Sequence, residues 1–208
     1  LYGGLYALND IADIKSDSMH PSKKDRPLPS KKISISSAYI FVIAFISVSL
    51  VIAHFYFGKS IFLMYISFIF VNLLYTHIAK KIPYIEILFN GLTYPMRFFL
   101  GILLVSNEIP YLLLCAVFLL ALGIASVRRV FEKRYKGWEA RKVLKYYTEK
   151  SLIFMQILAF VLIIVIPIID YPFYIILYII IIVLYSIFVI GIYLSSYFDN
   201  FYKRLFLT

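Results

Sequence analysis

Residues 173–194 form an apolar run that no charged side chain interrupts. About 20 such residues carry a helix across the hydrocarbon core of a bilayer, and the chain repeats the pattern. Six runs qualify, at 36–57, 60–79, 84–106, 109–127, 151–169 and 172–196. Inside hydrocarbon every backbone N–H and C=O must be paired within the protein, which leaves helices and closed barrels. A barrel reads as segments of about ten residues with alternating polarity, and these runs do not alternate. Hydrophobic residues make up 62% of the chain and charged residues 15%, against about half and a quarter in soluble domains. A soluble globular enzyme is therefore excluded, and an aromatic share of 19% excludes disorder. The expected fold class is all-α: a polytopic transmembrane helical bundle with about six complete spans, residues 1–208 forming one integral membrane domain.

The breaks carry turn signals, at Gly58-Lys59, at Pro83, at 107–110 and at 170–172. The net charge of +10 would point to nucleic acid in a soluble protein. Here the basic residues alternate with the spans. Counting connections, 19 of the 21 fall on one side, Lys59 lies opposite, and Arg97 lies within a span. The positive-inside rule places the rich side in the cytoplasm, so the expected partner is a membrane and not nucleic acid, with a multi-pass location in the cell membrane. Cys115, the single cysteine, lies in an apolar run and reads as a buried small hydrophobe. The chain begins at Leu1, and 1–8 reads as the end of an apolar helix and not as a signal peptide. The expectation is an internal piece of a longer protein, incomplete at both ends, and nothing in the sequence bears on oligomeric state.

The first basic connection opens with acids. Asp10, Asp13 and Asp17 stand at i, i+3 and i+7, so at 100° per residue they share one helix face. Three carboxylates there repel one another unless a cation sits between them. Hard oxygens suit Mg²⁺, which commonly bridges carboxylates to substrate phosphates, and Asn9 can add a neutral oxygen. The plain alternative is a solvated acidic helix end screened by the lysines that follow. Beyond the acids come His20, Pro21, Lys23, Lys24, Arg26 and Pro27. Metal on some oxygens with Lys and Arg on the rest is what phosphate recognition needs; contact with anionic lipid is the other reading of the same cations.

With Asn9, Asp10, Asp13 and Asp17 in the pattern Asn-Asp-x-x-Asp-x-x-x-Asp, and Arg26-Pro27 at the place of an Arg-Pro pair, the chain resembles the UbiA superfamily of membrane prenyltransferases. The resemblance covers essentially the whole chain. It implies a UbiA-like bundle from which the first helix, most of the second and the last are missing. Prenyl-donor members carry a second motif, Asp-x-x-x-Asp, that holds another metal. The matching segment, 123–150, has no aspartate, and its acids, Glu132, Glu139 and Glu149, are seven and ten residues apart. It carries Arg128-Arg129 followed by Glu132, then Arg141 with Leu144, then Tyr147-Thr148. This is similar to the decaprenyl-phosphate phosphoribosyltransferase branch, with its Lys-Arg-x-x-Glu, Arg-x-x-Leu and Tyr-Thr elements. The chain departs from it by having Arg128 in place of the lysine, which keeps charge but not donor geometry. His20-Pro21 with Lys24 and Arg26 resembles the same branch. A surface-bound amphipathic connection is the alternative reading of 128–150.

Within the middle spans, Arg97 is costly in lipid unless paired or functional, and Arg97 with Gly101 resembles the family's Arg near Gly. A pair with Glu86 is the structural alternative, although eleven residues is three helical turns. Tyr75 and Lys80 resemble the family's Tyr and Lys at the end of the fourth helix; Lys80 reads equally as a snorkelling lysine. The aromatic stripe 171–197 reads as lipid-facing or interfacial.

By resemblance, the protein transfers a phosphoribosyl group from phosphoribosyl pyrophosphate to a polyprenyl phosphate with Mg²⁺ as cofactor. Asp10, Asp13 and Asp17 are the expected catalytic and metal residues. Asn9, His20, Lys24, Arg26, Tyr75, Lys80, Arg97, Arg128, Arg129, Glu132 and Arg141 are the expected substrate contacts. Two other readings stand beside it. One is a prenyltransferase acting on an aromatic or glycerol-phosphate acceptor, which needs the second acidic motif. The other is a non-catalytic lipid-binding paralogue, which predicts loss of a motif acid; all three are present.

Overall fold

The computed structural model describes residues 1–19, 23–106, 108–135, 142–170 and 172–194, and the regular structure among them is entirely helical. The chain falls into two compact units, Leu1–Ile78 and Ala79–Thr208.

The first unit is two helices packed on each other, α1 (Tyr2–Ser18) and α2 (Ile35–His77). Ser34 starts α2: its backbone is extended and its hydroxyl accepts the Ser37 N–H at 3.0 Å, covering one of the orphan donors of the first turn. At 43 residues α2 is twice the length one crossing needs. It breaks at Gly58, whose φ of 81° lies where only glycine goes freely. The break divides it into 35–57 and 59–77, each about one crossing long. The expected punctuation at Gly58-Lys59 is therefore a kink from which the helix resumes at once.

The second unit contains α3 (Ile85–Ile102), α4 (Tyr111–Tyr135), α5 (Glu149–Ile169) and α6 (Ile175–Tyr185); a π-helical turn, Ser186–Ile190, leads into α7 (Gly191–Leu194). Within this unit α4 is central, packing on α3, α5 and α6. Its Leu113, Ala116, Val127 and Val130 meet Leu152 and Ile163 of α5 and Tyr178 and Tyr185 of α6 in one core. Small residues let membrane helices approach closely, and Gly123 shows it. A methyl group there would lie 2.7 Å from Cζ of Tyr185.

Among the described residues three helical stretches are long and apolar enough to cross a membrane: Ile35–Lys81, Tyr111–Arg134 and Glu149–Ile169. The expected count was six. The kinked α2 carries two of the expected runs as one element. α3 falls short because Glu86, Asn90 and Arg97 dilute its apolar surface, and the helical stretch Ile175–Val189 is apolar but shorter. Residues 195–196 of the sixth run lie outside the described residues. Large apolar side chains cover the outer faces, with Phe55 75% and Ile168 80% exposed. Water does not tolerate apolar surface on this scale, whereas lipid solvates it, so this is an integral membrane protein.

Three further expectations change. The connection expected at 128–150 begins as helix, since α4 continues two turns past 127. Glu132 accepts from both Arg128 and Arg129, and such i+3 and i+4 pairs hold a basic stretch helical. Cys115 is exposed and not buried: in a membrane helix the lipid face is as apolar as the core. For the same reason the aromatic stripe divides, with Phe173 exposed while Tyr178 and Tyr185 are core residues.

Candidate active site

The motif acids lie on the last two and a half turns of α1, where the apolar start of the helix gives way to polar residues. Asp17 is 5% exposed, and Asp10 and Asp13 are half-buried. The loop that follows folds back over them. Arg26 donates through a single nitrogen, Nη1, to Asp17 Oδ2 at 3.2 Å and to Asp10 Oδ1 at 3.4 Å. Lys23 Nζ stands 3.7 Å from Asp17 Oδ1. Burial pushes the Asp10 carboxyl above its ordinary value, Arg26 opposes the shift, and Asp17 and Asp13 add to it. Asn9 Oδ1 accepts from the Thr76 hydroxyl, tying the motif to the end of α2 beside half-buried Tyr75. Lys24 is exposed. Next to the Asp10–Arg26 pair a hollow of about 390 Å³ is lined by Leu28, Ile33, Ala38 and Phe41.

Among the described residues no three His, Cys, Asp or Glu side chains are gathered closely enough to chelate one metal. The donor set nonetheless fits Mg²⁺. Oxygens of Asp10 and Asp17 already converge on one cationic atom, the Arg26 nitrogen. Asp13 and Asn9 flank them on the same helix end. Hard anionic oxygens around one cationic point are what Mg²⁺ takes.

The second cluster is at the base of α4. Arg129 is 1% exposed and Glu86, from the first turn of α3, is wholly buried. Arg129 forms ion pairs with Glu86 and with Glu132. Glu132 Oε1 accepts from Arg128 Nε at 3.0 Å, leaving Arg128 39% exposed. Tyr147 closes the cluster from the turn Lys142–Tyr146. Its hydroxyl donates to Glu86 Oε1 at 3.1 Å and accepts the Tyr84 N–H at 2.9 Å. Tyr84 has a φ of 64°, a strained position for a residue with a side chain. Its ring packs edge-on against Tyr147 at 4.9 Å. Burial, and then the Glu86 carboxylate, push the Tyr147 phenol far up, so it acts as a neutral hydroxyl. Thr148 caps α5 by accepting the Ser151 N–H at 3.1 Å.

The structure thus brings Asn9, Asp10, Asp17 and Arg26 together in the first unit, and Arg128, Arg129 and Glu132 together in the second. Lys80 lies in the turn Ala79–Lys81, which packs on the turn Lys142–Tyr146. Arg97 is exposed on α3 with its guanidinium 5.8 Å from the Tyr94 ring centre, and Glu86, weighed from the sequence as its partner, pairs with Arg129. His20 and Arg141 lie outside the described residues. Sequence reasoning missed Thr76, Tyr147 as a hub, and Glu86 as the buried centre. A carboxylate amid an otherwise apolar helix start was the available signal for Glu86.

A family model, the UbiA prenyltransferase family, matches residues 1–205. The nodulation protein NoeC of Azorhizobium caulinodans is 25% identical over 129 residues, 62% of this chain and 42% of that protein. The match therefore spans about two-fifths of the length of this curated relative. Among solved structures, a UbiA homolog from Archaeoglobus fulgidus bound to GPP and Mg²⁺ matches with a TM-score of 0.77 at 20% identity, over 90% of this chain and 69% of that one. A UbiA homolog from the same organism bound to DMAPP and Mg²⁺ gives 0.71 at the same identity and coverage. At this identity the likeness speaks to fold. It joins the match across 1–205, and on that match the chain belongs to the UbiA prenyltransferase family.

Proposed function

We propose that the whole protein is a Mg²⁺-dependent membrane transferase that moves the phosphoribosyl group of phosphoribosyl pyrophosphate to a polyprenyl phosphate, with its site open to the cytoplasm. The observation that carries this reading is the asymmetry of charge. One acidic helix end, Asp10, Asp13 and Asp17, is matched by a helix end carrying Arg128, Arg129 and Glu132 where a second acidic motif would serve a prenyl donor. A pyrophosphate donor that also carries a 5-phosphate, together with a lipid acceptor that brings another phosphate, calls for one metal site and several cations.

Asp10, Asp13 and Asp17 would hold Mg²⁺, with Asn9 fixed beside them by Thr76. Bound there, the metal supplies Lewis-acid stabilisation of the leaving pyrophosphate. Arg26, released from Asp10 and Asp17, and exposed Lys24 neutralise further phosphate charge. Arg128 presents its guanidinium under the hold of Glu132, while Arg129, buried between two carboxylates, positions Glu132 and contacts no substrate. The acceptor phosphate oxygen is already anionic, so the reaction needs no strong general base. The apolar hollow beside Asp10 suits the first isoprene units of the acceptor. Prenyl transfer to an aromatic or glycerol-phosphate acceptor is the second reading. It is favoured by the fold likeness to proteins whose structures hold GPP and DMAPP.

The full-length protein in detergent with Mg²⁺ separates the two. Radiolabelled phosphoribosyl pyrophosphate with polyprenyl phosphate should yield labelled lipid. Product only from a prenyl pyrophosphate with aromatic or glycerol-phosphate acceptors overturns the first reading in favour of the second.

A further inference from the structure

α6 and α7 are not one continuous α-helix. In the π-helical turn Ser186–Ile190 between them, the Gly191 N–H donates to the Ser186 carbonyl, five residues back and not four. A π turn takes in one residue more than an α-helical turn, is rare, and often sits at functional sites. The Ser186 hydroxyl donates to the Ile182 carbonyl at 2.8 Å, the kind of side-chain bond that makes irregular backbone tolerable in a membrane.

Two phenols show what the turn accomplishes. Tyr185 precedes it and Tyr193 follows it, eight residues on. At 100° per residue an unbroken α-helix would leave them about 80° apart, and the extra residue of the π turn brings them within about 20°. Both then reach one residue of α5. The Tyr185 hydroxyl donates to the backbone carbonyl of Gln156 at 2.6 Å, and the Tyr193 hydroxyl donates to Gln156 Oε1 at 2.8 Å. Tyr185 is fixed in its own right: wholly buried, it stacks on Phe160 at 5.4 Å and lies against Gly123. Tyr193 is 41% exposed and is held through its hydroxyl. Gln156 is 3% exposed, and among the described residues its Nε2 has no partner, so the bond to Tyr193 is the hold on this amide. An amide buried without that bond is costly. Held there, the Tyr193 phenol comes within electrostatic reach of Arg134 and Glu149. These two pair at 3.2 Å between the base of α4 and the start of α5. The chain after the turn is thereby fixed to the helix end that carries Arg128, Arg129 and Glu132.

We propose that Ser186–Ile190 is a register latch. Gln156 holds the turn in its π form. Release of the amide lets it anneal to α-helix, which rotates the chain after it by about 100° and carries Tyr193 off the base of α4. The device rests on the fold alone and holds whichever group the protein transfers.

Melting of the full-length protein in detergent tests it. Tyr193→Phe should lower the midpoint by a few degrees, the effect of one buried hydrogen bond. It should cost nothing further once Gln156→Met has removed the acceptor; that variant keeps the backbone carbonyl that Tyr185 uses. Deleting Ile187, which is 44% exposed and outside the core, should close the π turn into α-helix while leaving Tyr193 on the face of Tyr185. The deletion variant should therefore fold and keep the full cost of Tyr193→Phe. Amide hydrogen exchange reads the latch itself. In Gln156→Met the backbone of 186–191 should exchange several-fold more slowly than in wild type, as α-helical bonds replace the π turn. A deletion variant that fails to fold, or that is indifferent to Tyr193→Phe, overturns the proposal. So does exchange at 186–191 that is unchanged or faster in Gln156→Met.

Discussion

Arg26 shares one nitrogen between Asp10 and Asp17, so two of the three motif acids face a cation of their own loop. Metal and guanidinium compete for the same oxygens. Arg26→Gln should therefore bind Mn²⁺ a few times more tightly in the absence of diphosphate, since ion pairs whose guanidinium stays about half open to water are each worth on the order of 1 kcal/mol. Electron paramagnetic resonance of the bound ion reads this. The same variant should transfer more slowly, because a phosphate-neutralising cation is lost. Equal Mn²⁺ affinity in variant and wild type would show that the guanidinium does not guard the site. Asp13→Asn should lower transfer by about 10²–10³-fold, the scale of losing one electrostatic element of a site, with the melting temperature in detergent unchanged. Wild-type turnover would remove the metal role from that carboxylate. Spacing alone revealed the three acids, because helical periodicity turns i, i+3 and i+7 into one face. The folding back of Arg26 depends on the path of the loop from 23 to 34, which no local rule prescribes.

At the level of elements, the base of α4 is joined to the start of α3 and to the turn Lys142–Tyr146 through one phenol. Tyr147 donates to Glu86 and accepts from Tyr84, whose positive φ needs an external hold. Tyr147→Phe removes both bonds while keeping the ring that packs on Tyr84. Glu86 keeps Arg129, but the Tyr84 N–H loses its acceptor; a buried polar group left unsatisfied costs about 1–3 kcal/mol, so the variant should melt several degrees lower in detergent. It should also turn over more slowly, since Glu86 holds Arg129, which holds Glu132, which aims Arg128. Unchanged stability and turnover would detach the phenol from the cluster. The resemblance marked Arg128, Arg129, Glu132 and Tyr147 as motif elements of one segment, without saying which of them meet. That Arg129 is buried between two carboxylates was illegible, because Glu86 lies 43 residues away and only the packing of α3 on α4 joins them. The continuation of α4 past 127 was legible only in part. A basic stretch reads alike as a helix end and as a loop, until its i+3 and i+4 partners are seen to be made.

For the whole molecule, hydropathy gave the all-helical membrane class because a bilayer leaves so few alternatives, but it misjudged which faces are buried. Cys115 and the Tyr178–Tyr185 pair show why: lipid and core both favour apolar side chains, so only packing tells them apart. Sidedness rests on charge, and α2 is where it can be tested. A straight helix of 43 residues would reach about 65 Å, twice the hydrocarbon core. If the break at Gly58 makes two crossings of it, Lys59 emerges on the face opposite Lys31 and Lys32. On the basic count the lysines of 31–32 are expected on the cytoplasmic face. In a Cys115→Ser background, needed because that thiol is exposed, Lys59→Cys should react with an impermeant maleimide added to intact cells. Lys31→Cys should react only in inverted vesicles. Labelling of both from one side would mean that α2 does not make two crossings, and the cytoplasmic assignment of the acidic helix end would then have to be derived again from the other connections. Reaction at 59 only from inside, with 31 only from outside, would keep the two crossings but invert the molecule. The acids, Arg26 and the basic end of α4 would then face away from the compartment in which phosphorylated sugar donors are made, and the proposed reaction would fail on supply of substrate and not on chemistry.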